Sequence, residues 1–172
     1  QRAIRKGVVA PPPGRALYVT HPGPQTAFME SDAEECLYGG ALAGGKSLAL
    51  RAWAVRYCMT YPGAQVVLFR RTYRELEDTH ILAIQREIPS SIATYSSGSH
   101  NLVFRQNGSV LMFRFCESDD EVRTYDTTEF DAILFDELTH FTQFMYVYIL
   151  SRCRSTKPWW PGRRIRSGAT PL

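Results

Sequence analysis

The sequence lacks long apolar runs and the residue patterns that bind metals or form disulfides. No stretch of its 172 residues approaches the roughly 18 consecutive apolar residues of a transmembrane helix, and the basic segment 1–6 does not resemble a signal peptide. The four cysteines form no C-x-x-C pair, so neither a disulfide framework nor a zinc site is expected. The four histidines form no i, i+4 pair, which argues against a histidine-held metal. We therefore expect an intracellular, soluble protein.

No acidic residue follows Glu137. All 17 acidic residues lie at or before this position, whereas six of the 20 basic residues follow it, between Arg152 and Arg166. Two interpretations of this basic segment remain open: contact with a phosphate backbone or a neighbour's acidic face, or an ordinary solvated surface. The chain opens on Gln1 rather than Met and stops at Leu172 directly after a predicted strand. We therefore expect both ends to be cut from a longer chain.

After a proline-rich start, apolar runs alternate with helical patterns. Five prolines in residues 1–33 predict an extended N-terminal arm rather than a helix, and residues 34–172 form one predicted α/β domain. We predict a strand over 36–38, a helix over 47–61, a strand over 64–70, and a helix over 72–88 capped by Thr72. This β-α-β-α order predicts parallel strands with right-handed crossovers, in a sheet that helices cover on both faces.

The middle of the chain has a different pattern. Asn107-Gly108 lies between two apolar runs, 101–104 and 109–115, and this dipeptide predicts a β-hairpin that extends the sheet. Further on, we predict a buried strand over 132–135, a helix over 142–153 and a short last strand over 163–167.

The strongest motif is Gly-Ala-Leu-Ala-Gly-Gly-Lys-Ser at residues 40–47, which fits G-x-x-x-x-G-K-[ST] between a predicted strand and a predicted helix. This pattern is typical of a P-loop, in which backbone N–H groups surround the α and β phosphates at the helix N-terminus. Lys46 would reach the β and γ phosphates, and the Ser47 hydroxyl would ligate Mg²⁺. The predicted nucleotide contacts are Gly40, Ala41, Leu42, Ala43, Gly44, Gly45, Lys46, Ser47 and Leu48.

A second motif consists of the apolar strand 133–135 followed by Asp136 and Glu137. Ligands gather at the carboxyl ends of strands in open α/β sheets, so the pair is typical of a Walker B strand. Asp136 would hold Mg²⁺ through its water shell, and Glu137 would polarise the attacking water. Together the two motifs predict hydrolysis of ATP with Mg²⁺ as cofactor.

Phosphoryl transfer also needs positive charge near the γ-phosphate, commonly from an arginine. Arg70 and Arg71 lie at the end of the second predicted strand of the domain. Arg123 lies in the polar loop before the Walker B strand, from which it would reach outward to a neighbouring molecule.

The sequence resembles the ATPase domain of tailed-bacteriophage terminase large subunits. The resemblance covers about residues 22–171, and the order of the motifs carries it. These motifs are Gln25 and Phe28, the run 37–47, Val67–Thr72, Ile133–Glu137, the Asn-Gly hairpin and Ser167–Pro171.

This resemblance implies a fold, a function and further site residues. The fold would be the three-layer P-loop NTPase fold of the ASCE, RecA-like class, with a mainly parallel sheet. The domain would drive double-stranded DNA through the portal into the procapsid as a homo-oligomeric ring, with a small terminase subunit as partner and no membrane, in the host cytoplasm. A nuclease domain follows in such proteins and is not expected here.

By the same resemblance, Gln25 would contact adenine and Arg123 would act in trans on a neighbour's site. The coupling motif that senses hydrolysis would comprise Ser167, Gly168, Ala169 and Thr170. Some relatives carry an arginine inside the P-loop, but residues 41–45 contain none.

Two alternatives remain open. One is a helicase-like or other RecA-type ATPase, since those enzymes share the P-loop, the Asp-Glu strand and often an upstream glutamine. The other is a nucleotide-gated assembly module that binds ATP and barely hydrolyses it.

Overall fold

A computed structural model describes residues 16–40 and 45–170, together with the backbone of residues 8 and 9. The P-loop residues Ala41, Leu42, Ala43 and Gly44 lie outside the described residues. The strands are β1 (Val8–Val9), β2 (Tyr18–Val19), β3 (Glu35–Gly39), β4 (Gln65–Arg70), β5 (Ala93–Ser96), β6 (Asn101–Phe104), β7 (Val110–Phe115), β8 (Ala132–Phe135) and β9 (Ile165–Ala169). The α-helices are α1 (Pro24–Glu30), α2 (Lys46–Thr60), α3 (Tyr73–Leu76), α4 (Leu82–Glu87) and α5 (Gln143–Leu150).

A seven-stranded sheet forms the centre of the fold, in the order β3-β9-β8-β4-β7-β6-β5. The first five strands in this order are parallel, whereas β6 is antiparallel to both β7 and β5. The predicted mainly parallel sheet and its Asn-Gly hairpin are thus confirmed. Strand β5 was not predicted, and it extends the antiparallel part of the sheet beyond the hairpin.

Helices cover both faces of the sheet, as predicted. Alternate residues of β4 point to opposite faces: Val66 and Leu68 pack with helices α1 to α4, whereas Val67 and Phe69 pack with α5. All four side chains are fully buried. Because both faces of β4 are covered, the strand is apolar throughout rather than alternating, as expected for a central parallel strand.

The N-terminal segment differs from the predicted extended arm, because residues Pro24–Glu30 form helix α1. Pro24 stands in the first turn, where a missing N–H costs no hydrogen bond and a fixed φ suits the helix. The helix buries Phe28 and Met29 against the core. Proline therefore argues against a helix interior but not against a helix start. The division of the chain at residues 33 and 34 stays a prediction.

The predicted helix over 72–88 forms, but with a π-helical turn at Glu77–Ile81 between α3 and α4. The side chain of Thr72 caps its start by accepting a hydrogen bond from the Glu75 N–H, as predicted. Leu82 N–H donates to the carbonyl of Glu77, five residues earlier, which inserts one extra residue into the turn. Hydrophobic periodicity did not indicate this insertion. The inserted residue sets the direction of the His80 side chain, which lies in the π turn.

Candidate nucleotide site

The carboxyl ends of β3, β9, β8 and β4 meet at one edge of the sheet. The P-loop follows β3, Thr170 follows β9, the acidic pair follows β8, and Arg70 ends β4. Two hydrogen bonds tie this edge together: Gly40 N–H donates to Ala169 O at 3.3 Å, and Asp136 N–H donates to Phe69 O at 3.0 Å. The topology therefore places most of the predicted site residues in one region.

The described ends of the P-loop lie close to each other. Gly45 has φ +70°, a left-handed conformation that favours glycine, and it precedes the first residue of α2. Lys46 is buried, and its ammonium donates to the carbonyl of Gly40 at 2.8 Å. This bond holds the lysine side chain back across the loop. Ser47 lies half-buried in the first turn of α2, and Leu48 packs partly buried against the core.

Gln25 contacts the described end of the P-loop at Gly45. Its side chain is buried, its Oε1 accepts from His21 N–H at 2.7 Å, and its Nε2 donates to Gly45 O at 3.2 Å. A Cβ on Gly45 would lie 2.9 Å from that Nε2, so the close approach requires glycine as well. The contact places Gln25 beside the P-loop. Its role toward adenine stays a prediction.

Ser47 and Asp136 are joined directly. The Ser47 hydroxyl donates to Asp136 Oδ2 at 3.1 Å, and Asp136 is fully buried at the end of β8. The same oxygen accepts from His80 Nε2 at 2.8 Å and from the guanidinium of Arg70. The other oxygen, Oδ1, is buried and has no hydrogen-bond partner among the described residues.

The environment of Asp136 favours its charged form. Burial alone would raise the pKa of this carboxyl, but the hydrogen bond from His80, together with the charge and hydrogen bond of Arg70, lowers the pKa to about 2. Burial lowers the pKa of His80, against the effect of Asp136. Because an ionised carboxylate only accepts hydrogen bonds, His80 Nε2 carries the proton and donates it toward Asp136.

Glu137 has an unusual backbone conformation, with φ 54° and ψ 61°. A non-glycine residue in this left-handed region carries local strain, which is concentrated at functional sites. The conformation turns its carboxylate toward the end of β9, where Oε2 accepts from Thr170 N–H and Oε1 accepts from the Thr170 hydroxyl, both at 2.8 Å. The predicted water-activating residue thus contacts the predicted coupling motif.

The rest of that motif packs behind Asp136. A Cβ on Gly168 would lie 3.3 Å from Asp136 Oδ1 and 3.2 Å from Leu50 Cδ1, so only glycine fits there without displacement. Ser167 and Ala169 are buried in β9 and pair with β3 through their backbones. We interpret the side chains of these two residues as packing groups rather than groups aimed at the nucleotide.

The three candidate arginines have different positions. Arg70 reaches the site, whereas Arg71 donates to the carbonyls of Cys116 and Glu117, both at 2.7 Å, and so joins β4 to the end of β7. Arg123 is exposed in a 3₁₀ helix at Glu121–Tyr125. Among the described residues, no ion pair joins Arg123 to the site, and its action in trans stays a prediction.

The basic segment after Glu137 is not a continuous patch. Arg166 is 1% exposed, donates to the carbonyls of Ala33 and Ser31, and stacks over Trp53. Lys157 pairs with the buried Asp131 at 2.5 Å. The charges of Arg166 and Lys157 therefore stabilise the fold.

Two functional candidates were missed by the sequence analysis. His80 has no histidine partner at i, i+4 spacing, so the sequence pattern does not mark it as a site residue. Arg51, one turn after Ser47, is buried and donates to Thr79 O at 3.0 Å and to both carboxylate oxygens of Glu87. The available signal for Arg51 was a charged residue between the apolar runs 48–50 and 52–55 of α2. For His80 no comparable signal exists, since the π turn decides its direction.

The residues present fit a bound Mg²⁺. A hydroxyl and a carboxylate lie 3.1 Å apart at Ser47 and Asp136, and Asp136 Oδ1 is buried without a hydrogen-bond partner among the described residues. Mg²⁺ prefers oxygen ligands, usually one or two protein groups completed by phosphates and water. The described residues contain no group of three or more His, Cys, Asp and Glu side chains that would hold a metal without a nucleotide.

The sheet order, the P-loop sequence motif between β3 and α2, and the acidic pair after β8 are those of the P-loop NTPase fold. The sequence matches the family described as terminase large subunit, T4likevirus-type, N-terminal, over residues 37–167. Since this match covers more than half of the chain, the protein belongs to that family, the N-terminal domains of phage terminase large subunits.

Solved structures agree on the fold. The large terminase of a thermophilic bacteriophage superposes with a TM-score of 0.72 at 12% identity, over 86% of this chain and 38% of that one. The HK97 large terminase superposes with a TM-score of 0.67 at 11% identity, over 96% of this chain and 35% of that one. The ATPase domain of the Thermus phage P74-26 large terminase superposes with a TM-score of 0.60 at 18% identity, over 90% of this chain and 66% of that one.

The chain therefore spans less than two fifths of the first two of these proteins. The large terminase of the thermophilic bacteriophage has also been solved in complex with ADP and with ATP-gamma-S. None of the curated proteins matches this sequence. No helix among the described residues is long and apolar enough to cross a membrane.

Proposed function

We propose that this domain hydrolyses ATP with Mg²⁺ and that the hydrolysis moves double-stranded viral DNA into the procapsid. One observation carries the proposal: the P-loop Ser47 hydroxyl lies 3.1 Å from Asp136, and the next residue, Glu137, contacts Thr170. The proposed metal ligands, water-activating carboxylate and coupling residue are thereby contiguous. The nucleotide complexes of the thermophilic-bacteriophage terminase support ATP as the ligand.

Each residue has a defined task in this proposal. The P-loop backbone and the α2 N-terminus bind the phosphates, and Lys46 exchanges the Gly40 carbonyl for the β and γ phosphates. Ser47, and Asp136 through water, would hold Mg²⁺, which would supply positive charge to neutralise the phosphates. Glu137 orients the attacking water and accepts its proton, for which its carboxylate must leave at least one Thr170 donor.

The exchange of hydrogen-bond partners by Glu137, from Thr170 to water, would couple hydrolysis to movement of the chain. Thr170 follows β9, the strand beside β3 and β8, so a change at Glu137 acts directly on the chain that follows this strand. The proposed partners are duplex DNA, further copies of the domain in a ring, the portal protein and the small terminase subunit. The proposed location is the portal of the procapsid in the host cytoplasm.

Two variants and a control test the enzymatic part. We expect Glu137→Gln to lower ATP hydrolysis by about 10²- to 10⁴-fold while ATP binding persists, because only activation of the water is lost. Lys46→Ala should abolish ATP binding measured by calorimetry. The matched control is Glu34→Gln, which changes an exposed glutamate before the amino end of β3, away from the site.

The outcomes separate the remaining functions. Equal hydrolysis by Glu137→Gln and the parent protein would contradict the assignment of Glu137. Tight ATP binding without turnover in the parent protein would favour a nucleotide-gated assembly module. Stimulation of hydrolysis by single-stranded rather than duplex DNA would favour the helicase-like alternative.

A further inference from the structure

The Walker B carboxylate is held by donors of different kinds. Asp136 Oδ2 accepts from Ser47 on α2, from Arg70 on β4, and from His80 in the π turn between α3 and α4. The inference below rests on the proposed function. In that function, Ser47 must turn its hydroxyl from Asp136 to the metal when Mg·ATP binds. One of the three donors is then lost, and the orientation of Asp136 depends on the other two.

Arg70 is poorly suited to hold the carboxylate in that state. Its guanidinium carries a full positive charge and competes with a divalent cation for the same carboxylate. An alternative partner is nearby, since Arg70 Nε lies 3.7 Å from the half-exposed carboxylate of Glu75. When Mg²⁺ binds, repulsion from the cation would therefore favour movement of the Arg70 guanidinium from Asp136 toward Glu75.

His80 has the opposite properties. Its side chain is fully buried, with 0% solvent exposure, and its Nε2 donates one hydrogen bond to Asp136 at 2.8 Å. Its second nitrogen, Nδ1, has no hydrogen-bond partner among the described residues. The single bond to Asp136 is thus the polar contact that the described structure gives this ring. Unlike a guanidinium, an imidazole can donate this bond without a fixed positive charge.

The backbone around His80 is also fixed. The π turn directs the ring toward Asp136, and Arg51 holds the neighbouring carbonyl of Thr79 at 3.0 Å. Arg51 lies on the same helix as Ser47, so this bond links the metal-binding helix to the π turn. Single π turns inside α-helices are frequent at functional sites.

We propose that His80 is a positioning residue, which holds Asp136 in the orientation that receives Mg²⁺ with the nucleotide. A group that orients a metal-binding carboxylate typically changes metal affinity by about 10- to 100-fold when it is removed. His80 acts through Asp136 and touches neither nucleotide nor metal.

The test measures metal dependence of binding at equilibrium, without hydrolysis. The affinity of the protein for ATP-gamma-S is measured by calorimetry in EDTA and across a Mg²⁺ titration. For His80→Leu we expect the Mg²⁺ concentration at half-effect to rise by about 10- to 100-fold. The affinity in EDTA should change less than about twofold, because the P-loop contacts remain.

A conservative variant separates positioning from packing. The amide nitrogen of His80→Gln reaches nearly as far as Nε2 and should restore most of the Mg²⁺ dependence, whereas the shorter His80→Asn should not. This pair keeps the test valid even where His80→Leu fails to fold. His100→Gln is the matched control, since His100 is a histidine that bonds Tyr95 away from Asp136.

The outcomes are distinguishable. If the parent protein binds ATP-gamma-S with no Mg²⁺ dependence, the proposed function and this inference both fail. If the parent shows the dependence and all three His80 variants match it, only the inference is overturned. Parallel loss of affinity with and without Mg²⁺ would indicate a purely structural role and would also overturn it.

Discussion

Glu137 is strained at φ 54° and is held by two donors from Thr170. We expect Thr170→Val to keep the fold and the backbone hydrogen bond but to lose the bond from the hydroxyl. Poorer orientation of the carboxylate should then lower kcat by about 10- to 100-fold, with ATP affinity unchanged. Steady-state kinetics and calorimetry measure the two quantities.

The control for this change is Thr127→Val, at an exposed threonine in the loop before β8. It should leave kcat unaltered. A Thr170→Val protein with the kcat of the parent would show that the hydroxyl does not orient Glu137.

Gly168 permits the close approach of β9 to Asp136. In Gly168→Ala the new Cβ would meet Leu50 at 3.2 Å and Asp136 Oδ1 at 3.3 Å, and both of these side chains are fully buried. We expect a loss of about 1–3 kcal/mol in the free energy of unfolding, measured by urea denaturation, together with weaker hydrolysis. Gly98→Ala is the control, because a Cβ there meets nothing within 4 Å. Equal stability of both variants would refute this packing argument.

Sequence patterns predict site residues well where spacing along the chain fixes their chemistry. The P-loop and the Asp136-Glu137 pair follow strands directly, so their place at the sheet edge was predictable. The contacts of His80 were not, since they depend on one extra residue in a turn and on a partner 56 positions away. The Glu137–Thr170 contact likewise depends on β8 and β9 being neighbours, which no local pattern determines.

At the scale of elements, α2 and the α3–α4 helix are joined through a partly buried ion pair. Arg51 on α2 donates to both oxygens of Glu87 at the end of α4, and Tyr18 on β2 donates to Oε2 at 2.5 Å. Burial would raise the pKa of Glu87, but the hydrogen bonds from Arg51 and Tyr18 outweigh it and lower the pKa below its ordinary value. The pair links α4, and with it the π turn, to the P-loop helix.

This shift predicts a pH dependence of stability. Since the pKa is lower in the folded than in the unfolded state, the ion pair contributes fully above the ordinary carboxyl pKa of 4.5 and less as the pH falls through the folded-state value. We expect Glu87→Gln to lower the free energy of unfolding by about 1–3 kcal/mol at pH 7. The difference from the parent should shrink steadily below pH 4.5. Urea denaturation across this pH range measures the difference in the free energy of unfolding, with Glu34→Gln as the control. A difference that is independent of pH would contradict the ion-pair account.

The elements themselves were mostly predictable, and their arrangement was less so. The caps at Thr72 and Thr142 and the Asn-Gly turn fix local boundaries. The order of the sheet places β9, the last strand in sequence, between β3 and β8. Pairings between strands far apart in the chain depend on tertiary packing, so no local pattern indicates them.

At the scale of the whole molecule, the candidate arginines differ in their distance from the site. Within the described residues, Arg70 is the arginine that reaches Asp136, and it is already paired there. Arg123 is exposed in the segment between β7 and β8, and its 3₁₀ helix packs with α5. An exposed arginine in this position suits contact with a neighbouring copy, as the proposed ring requires.

A site completed by a neighbour makes the hydrolysis rate per molecule depend on protein concentration. We expect the rate of the parent to rise with concentration, because association supplies the arginine in trans, whereas Arg123→Ala should stay flat at the rate of the isolated domain. Arg86→Ala is the matched control, at an exposed arginine on α4, and should follow the parent. A mixture of Arg123→Ala and Glu137→Gln should regain activity, since each copy retains what the other lacks. A rate that is independent of concentration and untouched by Arg123→Ala would show that the site is complete within one chain.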